Sequence, residues 1–360
     1  MRIAFSIFLL LVIGSAQAQK VENIIIVTTD GLRWQEVYSG MDSAIANNKK
    51  FHRGDSDYIY KHYWASTAEE RRAKLMPFMW STMAAKGQLY GNRKHNNYVN
   101  NANPYWFSYP GYSEIMTGYA DTAINSNDYK PNPHVTLLEF LNQQPKYKNK
   151  VAAFGAWEAF DRILNEKRSG IPVVSAFDTI VGKNLATEQK QVNGMLTDSY
   201  KPWHGDECLD VFTHYAAFST LKATKPKVLY IAYGETDEWA HAGQYRSYLD
   251  AAHQVDAWIK QLWEFVQSNP EYRNKTAIFI TTDHGRGDAV KAEWTSHGTS
   301  IKDASEIWFA VMAPGVPAKG EVKVSQQFYQ KQFAQTMAKL LGLTYKAKHP
   351  VEDAINDVLK

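Results

Sequence analysis

The chain has 360 residues, with 40 Lys and Arg against 37 Asp and Glu, a formal net charge of +3, and a single cysteine. A near-neutral balance without a basic block, repeat or low-complexity tract indicates no nucleic-acid partner. Cys208 alone excludes an intramolecular disulfide and any cluster of cysteine ligands, so an organising metal would have to be held by nitrogen and oxygen.

Arg2 precedes an apolar run from Ile3 to Ile13, and Gly14-Ser15-Ala16-Gln17-Ala18 follows with an Ala-x-Ala pattern. The run is too short to span a bilayer and has the form of a secretory signal peptide. The sequence therefore predicts a signal peptide over 1–18, a catalytic unit over 19–360, a periplasmic or secreted location, and no membrane span once the signal is removed. Ile24-Ile25-Ile26-Val27 then reads as a central parallel strand, ending in Thr28-Thr29-Asp30-Gly31. Residues 40–65 show no period and read as a loop. Glu69 to Ala85 reads as a helix split at Pro77.

Gly91 to Pro110 is irregular and rich in Asn and aromatics. A short helix is expected from about Pro110, with Ser108 just before its N-terminus. A further helix begins at Val135–Leu141, and Val151–Phe154 is a candidate strand. Residues 158–226 alternate between helical and irregular character and read as a cap or insertion. Val228–Tyr233 is a strong strand, again acidic at its end in Gly234-Glu235-Thr236-Asp237. Tyr248, Ala252, Val255, Ile259, Leu262 and Val266 give one apolar face to a helix over about 246–267, with His253 off that face. Thr276–Ile280 is a buried strand that delivers Thr281-Thr282-Asp283-His284-Gly285. Ile307–Met312 is a strand, and 326–341 a closing helix. Strands alternating with helices predict a three-layer αβα fold on a mostly parallel sheet.

Three strand ends thus bring Asp30, Asp237 and Asp283 to one sheet edge, the edge where open α/β sheets bind ligands. His241 follows Asp237 by four residues, which puts the two on one helix face. His284 adjoins Asp283, and His297 lies in the glycine-bearing loop beyond. A lone Asp or His is usually a cap or a solvated side chain. Three carboxylates and three imidazoles from one edge instead suit two zinc ions with positions left open for substrate, although manganese or iron could use the same ligands. Such a pair suits in-line displacement at phosphorus, and a serine at a helix N-terminus adds anion-binding N–H groups.

Asp30-Gly31, Ser108-Tyr109-Pro110-Gly111-Tyr112-Ser113-Glu114-Ile115-Met116-Thr117-Gly118, Asp237 with His241, Asp283-His284-Gly285 and His297 occur in an order that resembles the alkaline phosphatase superfamily, in particular its nucleotide pyrophosphatase/phosphodiesterase branch. The resemblance implies one zinc on Asp237, His241 and His297, a second on Asp30, Asp283 and His284, and Ser108 as nucleophile, with Ser113 as the competing serine. An asparagine about twenty residues after the nucleophile often contacts the phosphoryl group in this family; Asn125 and Asn127 both fit. Tyr112 stands where the family commonly has His. The Lys-x-Arg pair of specialised monoesterases is missing from Gly155–Phe160. Among possible replacements, Arg286 beside the second ligand pair is better placed than Arg33, Lys167 or Arg168. The expected activity is that of an exported dimetal phosphodiesterase or phosphatase acting on a small phosphate ester through a phospho-serine intermediate. A metal-dependent phosphotransferase or mutase of the same fold, and a non-catalytic binding protein, are the alternatives.

Overall fold

A computed structural model describes residues 20–360. The expected signal peptide lies outside the described residues. The ten strands are β1 (Asn23–Thr29), β2 (Gln88–Tyr90), β3 (Asn97–Asn100), β4 (Val151–Gly155), β5 (Val173–Ser175), β6 (Val228–Tyr233), β7 (Thr276–Thr282), β8 (Phe309–Met312), β9 (Gly320–Glu321) and β10 (Gln326–Tyr329). Eight of them form one sheet in the order β5-β4-β6-β1-β7-β8-β2-β9, while β10 and β3 pair separately. Only β8 runs antiparallel to its neighbours within the large sheet. The α/β class with a mostly parallel central sheet is therefore as the sequence predicts.

The alternation of the central strands explains the layering. Successive side chains of a strand point to opposite faces. Ile25, Val27, Ile231 and Ile280 feed one core, which the long helix Tyr245–Ser268 and the helix Asp210–Thr224 cover. Ile24, Ile26, Tyr230 and Phe279 feed the other, covered by the helices Ser108–Thr117, Leu137–Gln143 and Phe333–Leu340. Every residue of β1, β6 and β7 is buried, which is why these strands read as continuous apolar runs.

Four local expectations are corrected. Residues 40–65 form three short helices, two of them capped by the Asp42 and Asn48 side chains; segments this short show no apolar period. The closing helix begins only at Phe333, because Gln326–Tyr329 pairs in register with Asn97–Asn100 as β10 and β3, and tertiary pairing overrides local propensity. The same pairing turns part of the irregular 91–110 stretch into strand. His253 is half-buried, with Nδ1 2.8 Å from the Leu75 carbonyl. As the sequence predicts, the helix over 69–85 is split around Pro77: it ends at Leu75 and continues as the π-helical segment Met79–Met83. Within 158–226, Val173–Ser175 adds the edge strand β5, and the helix Asp210–Thr224 packs on β4 and β6.

Phe279 is fully buried and meets Phe309 in a stack, with ring centroids 5.5 Å apart and planes 7° apart, as well as the edge of Phe333. Phe279→Ala should destabilise the fold by about 3–5 kcal/mol, read as a lower denaturation midpoint with an unchanged slope.

Candidate metal centre

Register sets the site. In the parallel trio β6-β1-β7, Thr29 lies level with Tyr233 on one side and Thr282 on the other. The residues that follow these strands therefore emerge side by side. Asp30 comes directly from β1 and Asp283 directly from β7. Asp237 is carried by the helix Glu235–His241 that follows Gly234. That helix also places His241, whose Nε2 is 3.0 Å from Asp237 Oδ2.

Two groups of ligand atoms result. Asp30, Asp283 and His284 form one, and Asp237, His284 and His297 the other, each within 4.8 Å. His241 joins the second group, with its Nε2 2.9 Å from His297 Nε2. His284 links the two groups. Its Nε2 is 3.2 Å from Asp30, 3.5 Å from Asp283 and 3.9 Å from Asp237. Its Nδ1 lies 2.9 Å from the Gly285 carbonyl, so the ring presents Nε2 to the carboxylates. All six residues of the predicted ligand set meet at one edge.

A supporting shell fixes these groups. Gly31 has φ +56°, and its N–H donates to Asp283 Oδ1 at 3.0 Å. A Cβ there would stand 2.8 Å from both Asp237 and Arg286, so the turn needs glycine. Tyr112 donates its hydroxyl to Asp30 Oδ2 at 3.0 Å. The residue that departs from the family pattern thus orients a candidate ligand, a contact its sequence position did not disclose. Arg286 is 1% exposed, and its guanidinium grips Asp237 and the carbonyls of Trp294 and Thr295. It is built to position Asp237 and the loop leading to His297. Arg33 is buried against Glu36, and Arg168 binds Glu139, so both have structural partners.

Ser108 is the first residue of its helix, not the residue before it, and its Oγ is 3.5 Å from His284 Nε2. Gly111 makes this approach possible, because a Cβ would meet the Asp283 carbonyl at 2.5 Å. Ser113 is committed elsewhere, accepting a hydrogen bond from Asn132 Nδ2 at 3.0 Å. Asn127 accepts from the Tyr109 N–H at 2.9 Å, beside Ser108, whereas Asn125 is exposed.

The electrostatics call for cations. Burial, with Asp237 beside it, raises the Asp30 carboxyl, and burial with Asp30 raises Asp283 well above the usual carboxylate range. Burial acts the same way on Asp237, but Arg286, His241 and His297 outweigh it and hold that group low. Burial disfavours a charged His284, yet Asp283, Asp30 and Asp237 push it up to about 9. Asp30 Oδ1, Asp283 Oδ2 and His297 Nδ1 are buried without hydrogen-bond partners. Unpaired carboxylate oxygens facing imidazole nitrogens, with no sulfur donor, fit divalent ions of the zinc type.

A model of the metalloenzyme superfamily matches residues 113–344. That is more than half of the chain, and the protein belongs to this superfamily. The chain is similar to the alkaline phosphatase PafA, at 10% identity with 95% of this chain and 99% of that one covered and a TM-score of 0.60. It is similar to a 2-O GAG sulfatase, at 13% identity, 94% and 74% coverage and a TM-score of 0.59. It is also similar to the lipoteichoic acid synthase LtaP from Listeria monocytogenes, at 11% identity, 95% and 76% coverage and a TM-score of 0.57. At such identities the likeness is one of fold. No curated protein matches by sequence. Asp30 and Ser108 precede the matched segment, so their membership of the site rests on geometry.

Two outcomes follow from the cluster. Tyr112→Phe should weaken metal binding by roughly 10–100-fold while leaving the fold intact, as measured by competition with a chelating dye. The second concerns pH. In the metal-free protein His284 keeps its proton up to about 9, against an ordinary value of 6.5. Its stabilising contribution is complete below 6.5 and disappears as pH rises through about 9; the raised Asp30 and Asp283 act in the same sense. Chelated protein should therefore melt at falling temperature across that window, and added zinc should raise and flatten the curve. A pH-independent melting temperature of the chelated protein would contradict this.

Proposed function

We propose that the protein is an exported, metal-dependent hydrolase of phosphoric esters acting through a phospho-serine intermediate on Ser108. The observation that carries this reading is the meeting of three carboxylates and three imidazoles with the Ser108 hydroxyl 3.5 Å from His284. Asp237, His241 and His297 would hold one ion, and Asp30, Asp283 and His284 the other; zinc fits best, with manganese or iron compatible. When bound, two such ions supply Lewis-acid stabilisation to the attacking and leaving oxygens of an in-line displacement.

Ser108 Oγ forms the new bond to phosphorus as the ester P–O bond breaks and the alcohol departs. Water then cleaves the phospho-serine bond, returning the hydroxyl and its proton to Ser108. The chain's own contribution is placement. The helix start aims Ser108, Tyr112 holds Asp30, and Arg286 holds Asp237 and the 294–295 loop. Asn127, tethered to the backbone beside the nucleophile, is the better placed of the two asparagines for the phosphoryl group. The missing Lys-x-Arg pair at Gly155–Phe160 favours a singly charged diester over a dianionic monoester, as in the phosphodiesterase branch. The sequence at 1–18 supports export, and among the described residues no helix is long and apolar enough to cross a membrane.

Turnover of bis-p-nitrophenyl phosphate and p-nitrophenyl phosphate, with metal analysis of the purified protein, tests the reading. The diester should be preferred. Ser108→Ala should lower kcat by more than the about 10²-fold typical for loss of one transition-state hydrogen-bond donor. Metal-free protein that turns over neither ester would mark a binding protein instead, and undiminished turnover by Ser108→Ala would remove the nucleophile assignment.

A further inference from the structure

The helix Glu235–His241 carries two of the six proposed ligands, yet it has no cap of its own. Its N-cap residue is Gly234, which offers no side chain. A Cβ at that position would run into the buried Glu207 carboxylate. The helix is only 7 residues long, too short to hold its place without tertiary anchors. The missing cap comes from Asp210, 24 residues earlier in the chain and 2% exposed. Asp210 Oδ1 accepts the Gly234 N–H at 2.7 Å, and Oδ2 accepts the Glu235 N–H at 3.2 Å.

The arrangement is reciprocal. Asp210 is the first residue of the helix Asp210–Thr224, whose N-cap residue, Leu209, also supplies no capping side chain. The Asp210 N–H donates to Glu235 Oε1 at 2.8 Å, and Glu235 Oε2 accepts from the Trp239 indole N–H at 2.9 Å. Each helix therefore begins with an acidic residue whose carboxylate accepts N–H groups from the start of the other. The two carboxylates tolerate each other because both face backbone donors. One of the helices is packed on β4 and β6, and the other ends at His241. Asp237 lies in the same turn as Glu235, so a shift of that turn moves Asp237 with it. Asp30, Asp283 and His284 are placed instead by β1 and β7, which these bonds do not touch.

We propose that Asp210 and Glu235 are positioning residues for one half of the metal centre. They set Asp237 and His241 relative to His297, and so govern the affinity of the ion that these three would hold, without governing the ion of Asp30, Asp283 and His284. The proposal rests on the two-ion assignment made above and not on which ester is turned over. Asp210 lies in the 158–226 segment, so that segment would help build the metal centre rather than merely cover it.

The test is a zinc titration of the chelated protein against a chelating dye, which needs no turnover. Asp210→Asn keeps an acceptor for the Gly234 N–H and loses the one for Glu235, whereas Asp210→Ala loses both. Each should raise the dissociation constant of one ion by roughly 10–100-fold, alanine more than asparagine, and leave the other ion at its wild-type affinity. Two backgrounds identify the ion. In Asp283→Asn protein, Asp210→Asn should still weaken the ion on Asp237, His241 and His297. In His241→Ala protein it should have no further effect, because residues that act as one unit are not additive. Leu221→Ala, fully buried in the same helix as Asp210, is the control for general loosening. It should lower the melting temperature and keep both ions at wild-type affinity. Should Asp210→Ala fail to fold by far-UV circular dichroism, Asp210→Asn carries the test. Equal weakening of both ions, no weakening of either, or the same selective loss in Leu221→Ala overturns the positioning role and leaves the metal centre standing. Wild-type protein that binds fewer than two ions sinks the two-ion assignment itself.

Discussion

Mutual repulsion among carboxylates that the sheet forces together is the constraint on which the rest of this structure depends. Parallel pairing of β6, β1 and β7 ends three strands at one level, and two of them pass directly into Asp30 and Asp283. Buried like charges a few ångströms apart cannot all ionise in a poorly solvated edge without a compensating cation. Protons on His284 and the raised carboxyls provide that compensation in part, and divalent ions provide it fully. The fold thus creates an electrostatic demand at the sheet edge that bound divalent ions would meet.

The elements around this edge serve to hold it rather than to enlarge it. Glycine is required at 31 and 111 because a side chain would meet Asp237 and Arg286 or push the helix of Ser108 off Asp283. Tyr112 binds one oxygen of Asp30 and leaves the other facing His284, while Arg286 binds the Asp237 oxygen that faces His284 and His297 and leaves the other to His241. This is the support that metal sites need if ligand geometry is to survive substrate binding and release. Arg286 is a charged residue beside the candidate site whose bonds go to the protein itself. Its guanidinium is enclosed by the loop it stabilises.

By itself the sequence determined the central strands, the parallel α/β class, and all six residues that meet at the edge. Those signals are local: unbroken apolar runs mark strands buried on both faces, and each run announces its own carboxyl end with Asp and Gly. The i, i+4 spacing of Asp237 and His241 is likewise a property of one short helix. Only the tertiary structure placed Ser108 rather than Ser113 beside His284, Asn127 rather than Asn125 against the Tyr109 N–H, and Arg286 against Asp237. It also revealed Tyr112 as a partner of Asp30. These are relations between segments that lie far apart in the chain, with no periodicity to announce them. The same reason hid β10, whose residues carry no strand pattern of their own and become strand only because β3 offers its backbone hydrogen bonds.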